Sequence, residues 1–199
     1  MDFTILYRVL WKPSAVFKRF AGKLRTEPFV LIAVIAIISG INAYVGRFQE
    51  VLDHPVWFPV GLIQSSLILL LPPTIDAVVV FLLVLLLMKV RTKFLVLVSA
   101  FVLCEMPYFL ERLLAMVFGY PSIGLGSLIT ILGDIQPFLF GMLATITPFF
   151  VWNVILSWVA IIEIFNFQRR QNILLVGSLV LTGMLLNGVW FQVKCMWLK

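Results

Sequence analysis

Five long apolar runs dominate this sequence, at roughly 28–45, 61–88, 94–118, 137–165 and 173–193, and most of the charge lies outside them, ahead of the first and in the segments that follow. About 20 consecutive apolar residues are enough for a helix to cross the ~30 Å hydrocarbon core of a bilayer. In water, five such runs would have to hide from solvent on every side, and a chain of 199 residues has too little interior for that. The composition agrees. The chain is 62% hydrophobic and 12% charged, whereas soluble domains average about 45–50% apolar and 25% charged. The expected fold is all-α: a polytopic membrane helical bundle of five transmembrane helices in 28–199, preceded by an interfacial amphipathic segment in 1–27.

Phe3, Leu6, Leu10, Pro13, Phe17, Phe20 and Leu24 recur every three or four residues, and Arg8, Lys12, Lys18, Arg19, Lys23 and Arg25 fill other positions. That spacing predicts helix lying in the membrane interface, apolar face down and basic face among the headgroups. Pro13 should divide it in two, because proline is tolerated at a helix start and disruptive inside. Arg8, Lys12, Lys18, Arg19 and Lys23 are the candidate contacts to lipid or to a partner; a plain interfacial anchor is the simpler reading. Phe29–Val45 follows a basic segment but has no convincing cleavage site, so it reads as a retained helix.

The second run contains the Pro72-Pro73 pair and Asp76. Its part beyond Pro73 is only about 22 Å long at the helical rise, too short to cross alone. One long helix kinked at the prolines is expected; the alternative is two half-helices. Orientation follows from basic residues. Six lie in the N-terminal segment, three (Lys89, Arg91, Lys93) after the second run and two (Arg169, Arg170) after the fourth. The opposite joints hold Arg47, Lys194 and Lys199, so the bias is eleven against three. The positive-inside rule then places the N-terminus in the cytoplasm and the C-terminus outside. Trp57, Trp190 and Trp197 fall near the outer ends, as an aromatic belt would.

Any chemistry should reside in the polar residues within the spans. Asp76 lies 12 residues before Met88, Glu105 11 after Phe94, Asn153 12 before Phe165 and Asn187 14 after Ile173. Counted from the cytoplasmic ends, all four fall about 17–21 Å deep. A charge there costs several kcal/mol unless paired or neutralised. Glu105, Tyr108 and Arg112 share a helix face, so Arg112 could compensate Glu105. Asp76, Glu105, Arg112, Asn153 and Asn187 therefore form a candidate midplane site for a proton, an ion or a small polar solute. The alternative is a structural hydrogen-bond network between helices.

Enzyme chemistry is not expected, and neither a cofactor nor a metal is implied. Gly-x-Ser-x-Gly, HExxH and Cys-x-x-Cys are all absent. Asp53-His54 supplies two potential ligands, too few for a metal site. Gly119–Ser127 lacks the lysine of a phosphate loop and reads as a turn-rich connection. Cys104 and Cys195 fall at different depths, which argues against a disulfide. Ala36 with Gly40, and Ser39 with Ala43, are spaced for close helix packing. The net charge of +6 sits at the joints, a pattern suited to anionic headgroups and not to nucleic acid.

In the order of its features the chain resembles the Ypt-interacting protein (Yip) membrane family, prokaryotic branch. The matching elements are Trp11-Lys12-Pro13-Ser14-Ala15-Val16-Phe17-Lys18-Arg19-Phe20, then Glu27-Pro28-Phe29, then Ser99-Ala100 with Met106-Pro107, then Trp152 or Trp158 before Gln168-Arg169-Arg170. The resemblance is one of pattern along most of the chain. It implies five membrane helices and a cytoplasmic N-terminus, and it carries no catalytic residues. Eukaryotic members, associated with Rab-type GTPases, have a longer N-terminal region with a Leu-Tyr-Gly-Pro element. This chain has neither, so the resemblance implies the plasma (inner) membrane of a prokaryote, with a eukaryotic secretory-pathway membrane as the alternative. The expected function is that of a non-enzymatic accessory or scaffold for a transport, export or trafficking system, with a membrane protein partner and room for a homo-oligomer. The alternative is a small transporter or channel using the midplane polar layer.

Overall fold

In lipid, backbone polar groups must be satisfied within their own segment, which favours helix. The computed structural model describes residues 4–20, 28–30, 33–34, 37, 57–118 and 136–197, and at 6, 20, 57–69, 112 and 115–118 it describes the backbone alone. Among the described residues every continuous regular element is an α-helix: α1 Thr4–Trp11, α2 Pro13–Phe20, α3 Trp57–Leu87, α4 Phe94–Cys104, α5 Met106–Phe118, α6 Pro137–Ala144, α7 Pro148–Phe165 and α8 Arg169–Trp197. Among the described residues four segments are long and apolar enough to cross a membrane: Leu70–Leu87, Phe94–Glu111, Pro148–Phe165 and Arg169–Trp197. Of the expected first span, 28–30, 33–34 and 37 are helical, and its other residues lie outside the described ones, with Ala36, Ser39, Gly40 and Ala43 among them.

The centre of the bundle is α4. Every residue from Val96 to Cys104 is buried, as expected for a helix apolar all round. α3, α7, α1 and α2 pack against it. The outward surfaces of the other spans are apolar instead of charged: Val78, Leu82, Leu86, Ile155, Leu181 and Leu185 are all exposed. Only a lipid solvent makes that distribution favourable.

The second span is the single helix expected, and the third and fourth differ in detail. α3 is one continuous helix through Pro72 and Pro73, so the two-half-helix alternative does not describe it. The third span steps at Glu105, between α4 and α5. Pro107 has no N–H to give the Leu103 carbonyl and its ring crowds the preceding turn. Helical bonds resume on both sides, from Glu105 N–H to Phe101 O (3.1 Å) and from Phe109 N–H to Glu105 O (3.1 Å). The fourth, expected to run unbroken over 137–165, divides into α6 and α7. The Thr147 hydroxyl caps α7 by accepting from Phe150 N–H at 3.0 Å, and Pro148 takes the first helical position. Thr147 must be extended before a proline, and its φ of −111° and ψ of 164° are.

The N-terminal segment divides at Pro13 as expected, and Phe17 of its expected apolar face is buried, while the side chains of Phe3, Leu6, Phe20 and Leu24 lie outside the described ones. Ile5, Val9, Val16 and Phe17 are buried in the protein core, and Leu10 only partly. The apolar stripe is thus spent on the bundle: α2 packs on α7, and α1 on α4 and α5. Ser14 Oγ donates to Glu163 Oε1 on α7, and Lys18 Nζ stands 4.0 Å from Glu163 Oε2. Arg8, Lys12, Lys18 and Arg19 are exposed; Lys23 lies outside the described residues.

α6 lies on α8 through a glycine contact. A Cβ on Gly141 would stand 2.6 Å from Phe191 Cβ and 2.8 Å from the Asn187 carbonyl oxygen; one on Gly188 would stand 2.8 Å from Met142 Cγ. Small residues permit this approach of backbones, on which membrane helix pairs depend where no hydrophobic force acts between them. Gly141→Ala should therefore destabilise the bundle by about 1–3 kcal/mol through overpacking. Gly177→Ala meets nothing within 4 Å and should not. Thermal unfolding of the two variants in detergent checks the contrast.

Candidate functional site

Asn153 sits on α7, six residues after its capping Thr147, and is buried at 8% exposure. Its Nδ2 donates to the Cys104 carbonyl at 3.0 Å and to Glu105 Oε1 at 3.2 Å. Both acceptors belong to the step that Pro107 makes in the third span. A loosened helix thus offers a carbonyl, and the neighbouring helix supplies the donor, as a helix interruption in lipid requires. Ser157, one turn beyond Asn153, is buried and reaches the Cys104 side chain.

Beside this contact is a cavity of about 590 Å³. Among the described residues its polar lining includes Asp76 from α3, Glu105 at the step, Tyr108 and Glu111 from α5, Thr145 and Thr147 from the α6–α7 break, Asn153 and Ser157 from α7, and Asn187 from α8. The apolar wall includes Pro72, Phe109, Gly141, Phe150, Leu179 and Trp190. The local reasons for these positions are simple. Pro72 and Asp76 are one helical turn apart, as are Glu105 with Tyr108 and Asn153 with Ser157, so each pair shares a face. The α6–α7 break turns Thr145 and Thr147 toward the gap; Thr145 Oγ1 donates back to Gly141 O at 3.0 Å.

Of the residues expected at the midplane, Asp76, Glu105, Asn153 and Asn187 all line this one cavity. Their roles differ. Asn153 and Glu105 are bonded directly across helices. Asn187 Nδ2 is engaged on its own helix, with Gly183 O at 3.0 Å. Asp76 faces the cavity from α3. Arg112 lies on α5, but its side chain is outside the described residues, as are Asp53, His54 and the connection 119–127.

Glu111, Tyr108, Thr145, Thr147 and Ser157 line the cavity although sequence reasoning did not place them there. The signals were present. Thr147-Pro148 is an N-cap followed by a first-turn proline inside an apolar run. Tyr108 and Ser157 follow at one-turn spacing from residues already singled out. Among the described residues no group of three His, Cys, Asp or Glu is placed to hold a metal ion.

The described lining contains three carboxylates and no lysine, arginine or histidine side chain. Such a space can solvate a cation, a proton or a polar neutral group, and it repels anions when the carboxylates are ionised.

Asn153→Leu should remove the donor that Asn153 supplies to the Cys104 carbonyl and to Glu105 Oε1 across the helices. The expected loss is about 1–3 kcal/mol, read as a lower Tm. Ser99→Ala is the control, because the Ser99 hydroxyl bonds only the Val96 carbonyl of its own helix among the described residues, at 2.9 Å, and should have a much smaller effect. No protein-family model, no curated protein and no solved structure matches this chain.

Proposed function

We propose that this multi-pass membrane protein holds a small cation, a proton or a small polar solute in the cavity between its spans, and passes it across the bilayer as a transporter or channel. The observation that carries this reading is the convergence of Asp76, Glu105 and Asn153, from three different helices, on one space of about 590 Å³. A purely structural hydrogen-bond network has no use for a cavity. Polar groups that only tie helices together pack against one another and exclude space. Interrupted helices beside a cavity are also the arrangement by which membrane proteins expose backbone and side-chain dipoles to a solute. Here the interruptions are the Glu105 step and the Thr145–Thr147 break.

In this reading the chain has five spans, with Pro28–Val45 as the first. The N-terminus is cytoplasmic by its basic residues, and the membrane is the plasma membrane of a prokaryote. The chemistry is non-enzymatic. Kinship with the Yip family would be compatible with all of this. An accessory or scaffold role is the second reading, favoured by one observation: α1 and α2 are folded onto the bundle with Arg8, Lys12, Lys18 and Arg19 facing outward.

Reconstitution into liposomes separates the two. Pyranine trapped in the lumen reports proton flux, and radioactive sodium reports cation uptake. The transport reading expects flux above empty liposomes, lost in Asp76→Asn and in Glu105→Gln while the Tm of each variant stays within a few degrees of the parent. Absence of flux for both probes in the parent, or flux unaffected by either substitution, would refute it.

A further inference from the structure

The N-terminal helices have two faces, and the bundle covers one. Ile5 and Val9 on α1, at 2% and 0% exposure, are spent on protein, as are Val16 and Phe17 on α2. An amphipathic helix that entered lipid by its apolar face would turn these residues outward. Instead, Tyr7 is 55% and Trp11 76% exposed. Arg8 and Lys12 are exposed beside them. Tyr7 and Trp11 are one helical turn apart, and so are Arg8 and Lys12. The Lys12 N–H to Arg8 O bond of 2.7 Å carries the helical turn to Lys12. The four residues therefore form a single stripe spanning about 140° of the helix circumference.

The level of this stripe relative to the bilayer is set by the contacts of α2. Ser14 and Lys18 meet Glu163, two residues before the end of the membrane-length helix Pro148–Phe165. Arg169 and Arg170, exposed, begin the next helix four residues after that end. α2 is thus held at the boundary where a span leaves the hydrocarbon, with Arg19 exposed on it and two further arginines close by in the chain.

We propose that the outer face of the α1–α2 pair, Tyr7, Arg8, Trp11 and Lys12 with Arg19, is a docking surface for the anionic headgroups of the bilayer that holds the bundle. Tyrosine and tryptophan prefer the headgroup level, where an apolar ring body and a polar edge are both satisfied. Cations at that level gain from the negative surface potential of anionic lipid, within a Debye length of the membrane. A stripe combining both, fixed to a span end by its opposite face, fits a lipid surface without any further folding. This inference rests on membrane insertion and not on the transport reading.

The test uses the full chain in proteoliposomes and brominated lipids, which quench tryptophan by contact. The chain has six tryptophans, so the difference between the parent and Trp11→Phe isolates Trp11. The expected result is that this component is quenched more by brominated phosphatidylglycerol than by brominated phosphatidylcholine at equal mole fraction. The preference should disappear in the triple variant Arg8→Gln/Lys12→Gln/Arg19→Gln, and should shrink in high salt. Equal quenching by both lipids would overturn the proposal, as would a preference unchanged in the triple variant. A Trp11 that neither lipid quenches would overturn it in favour of a protein partner on this face.

Discussion

The contact between Asn153 and the Glu105 step is the interaction on which the rest of the bundle depends. It joins the innermost helix, α4, to α7 by two bonds from one amide, to Cys104 O and to Glu105 Oε1. In lipid there is little hydrophobic force between helices, and each polar contact across them contributes about 0.6–2 kcal/mol. More important is the cost of the alternative. Without the Asn153 amide, the Cys104 carbonyl and Glu105 Oε1 would each lose a hydrogen bond between helices. Pro107 makes the step necessary, and Asn153 makes it tolerable. Glu105 at the step and Tyr108 and Glu111 beyond it line one cavity.

The other wall is made by a different device. The α6–α7 break lets a short helix leave the line of the fourth span and lie on α8, where Gly141 and Gly188 allow near-contact of backbones. The Phe140 and Phe191 rings meet at a 46° tilt beside this contact, with their centres 4.8 Å apart. Had α6 continued straight into α7, Thr145 and Thr147 would be helix-interior residues. Displaced from that line, they edge the cavity instead. One wall is thus held by a polar bond and the other by close apolar packing, which are the two forces open to a helix bundle in lipid.

The N-terminal helices illustrate how an amphipathic pattern leaves open which surface covers its apolar residues. The basic positions are outward and Pro13 divides the segment, as the spacing predicts. Which apolar residues are covered, and by what, depended on a receptor surface that no local pattern describes. Ile5 and Val9 found α4 and α5, and Ser14 and Lys18 found a glutamate near the end of α7.

By itself the sequence determined the solvent of this protein, its helical class, and the approximate location of its apolar segments, because lipid demands long uncharged runs and self-satisfied backbone. It also marked Asp76, Glu105, Asn153 and Asn187, because polar groups are costly at that depth and few are present. Only the tertiary structure decided that these four share one cavity, that Asn153 bonds Glu105 while Asn187 bonds its own helix, and that the third and fourth spans are interrupted. The physical reason is that depth is a property of one helix and its register. Rotation, the pairing of donors with acceptors, and the shape of the space between helices are properties of several helices at once.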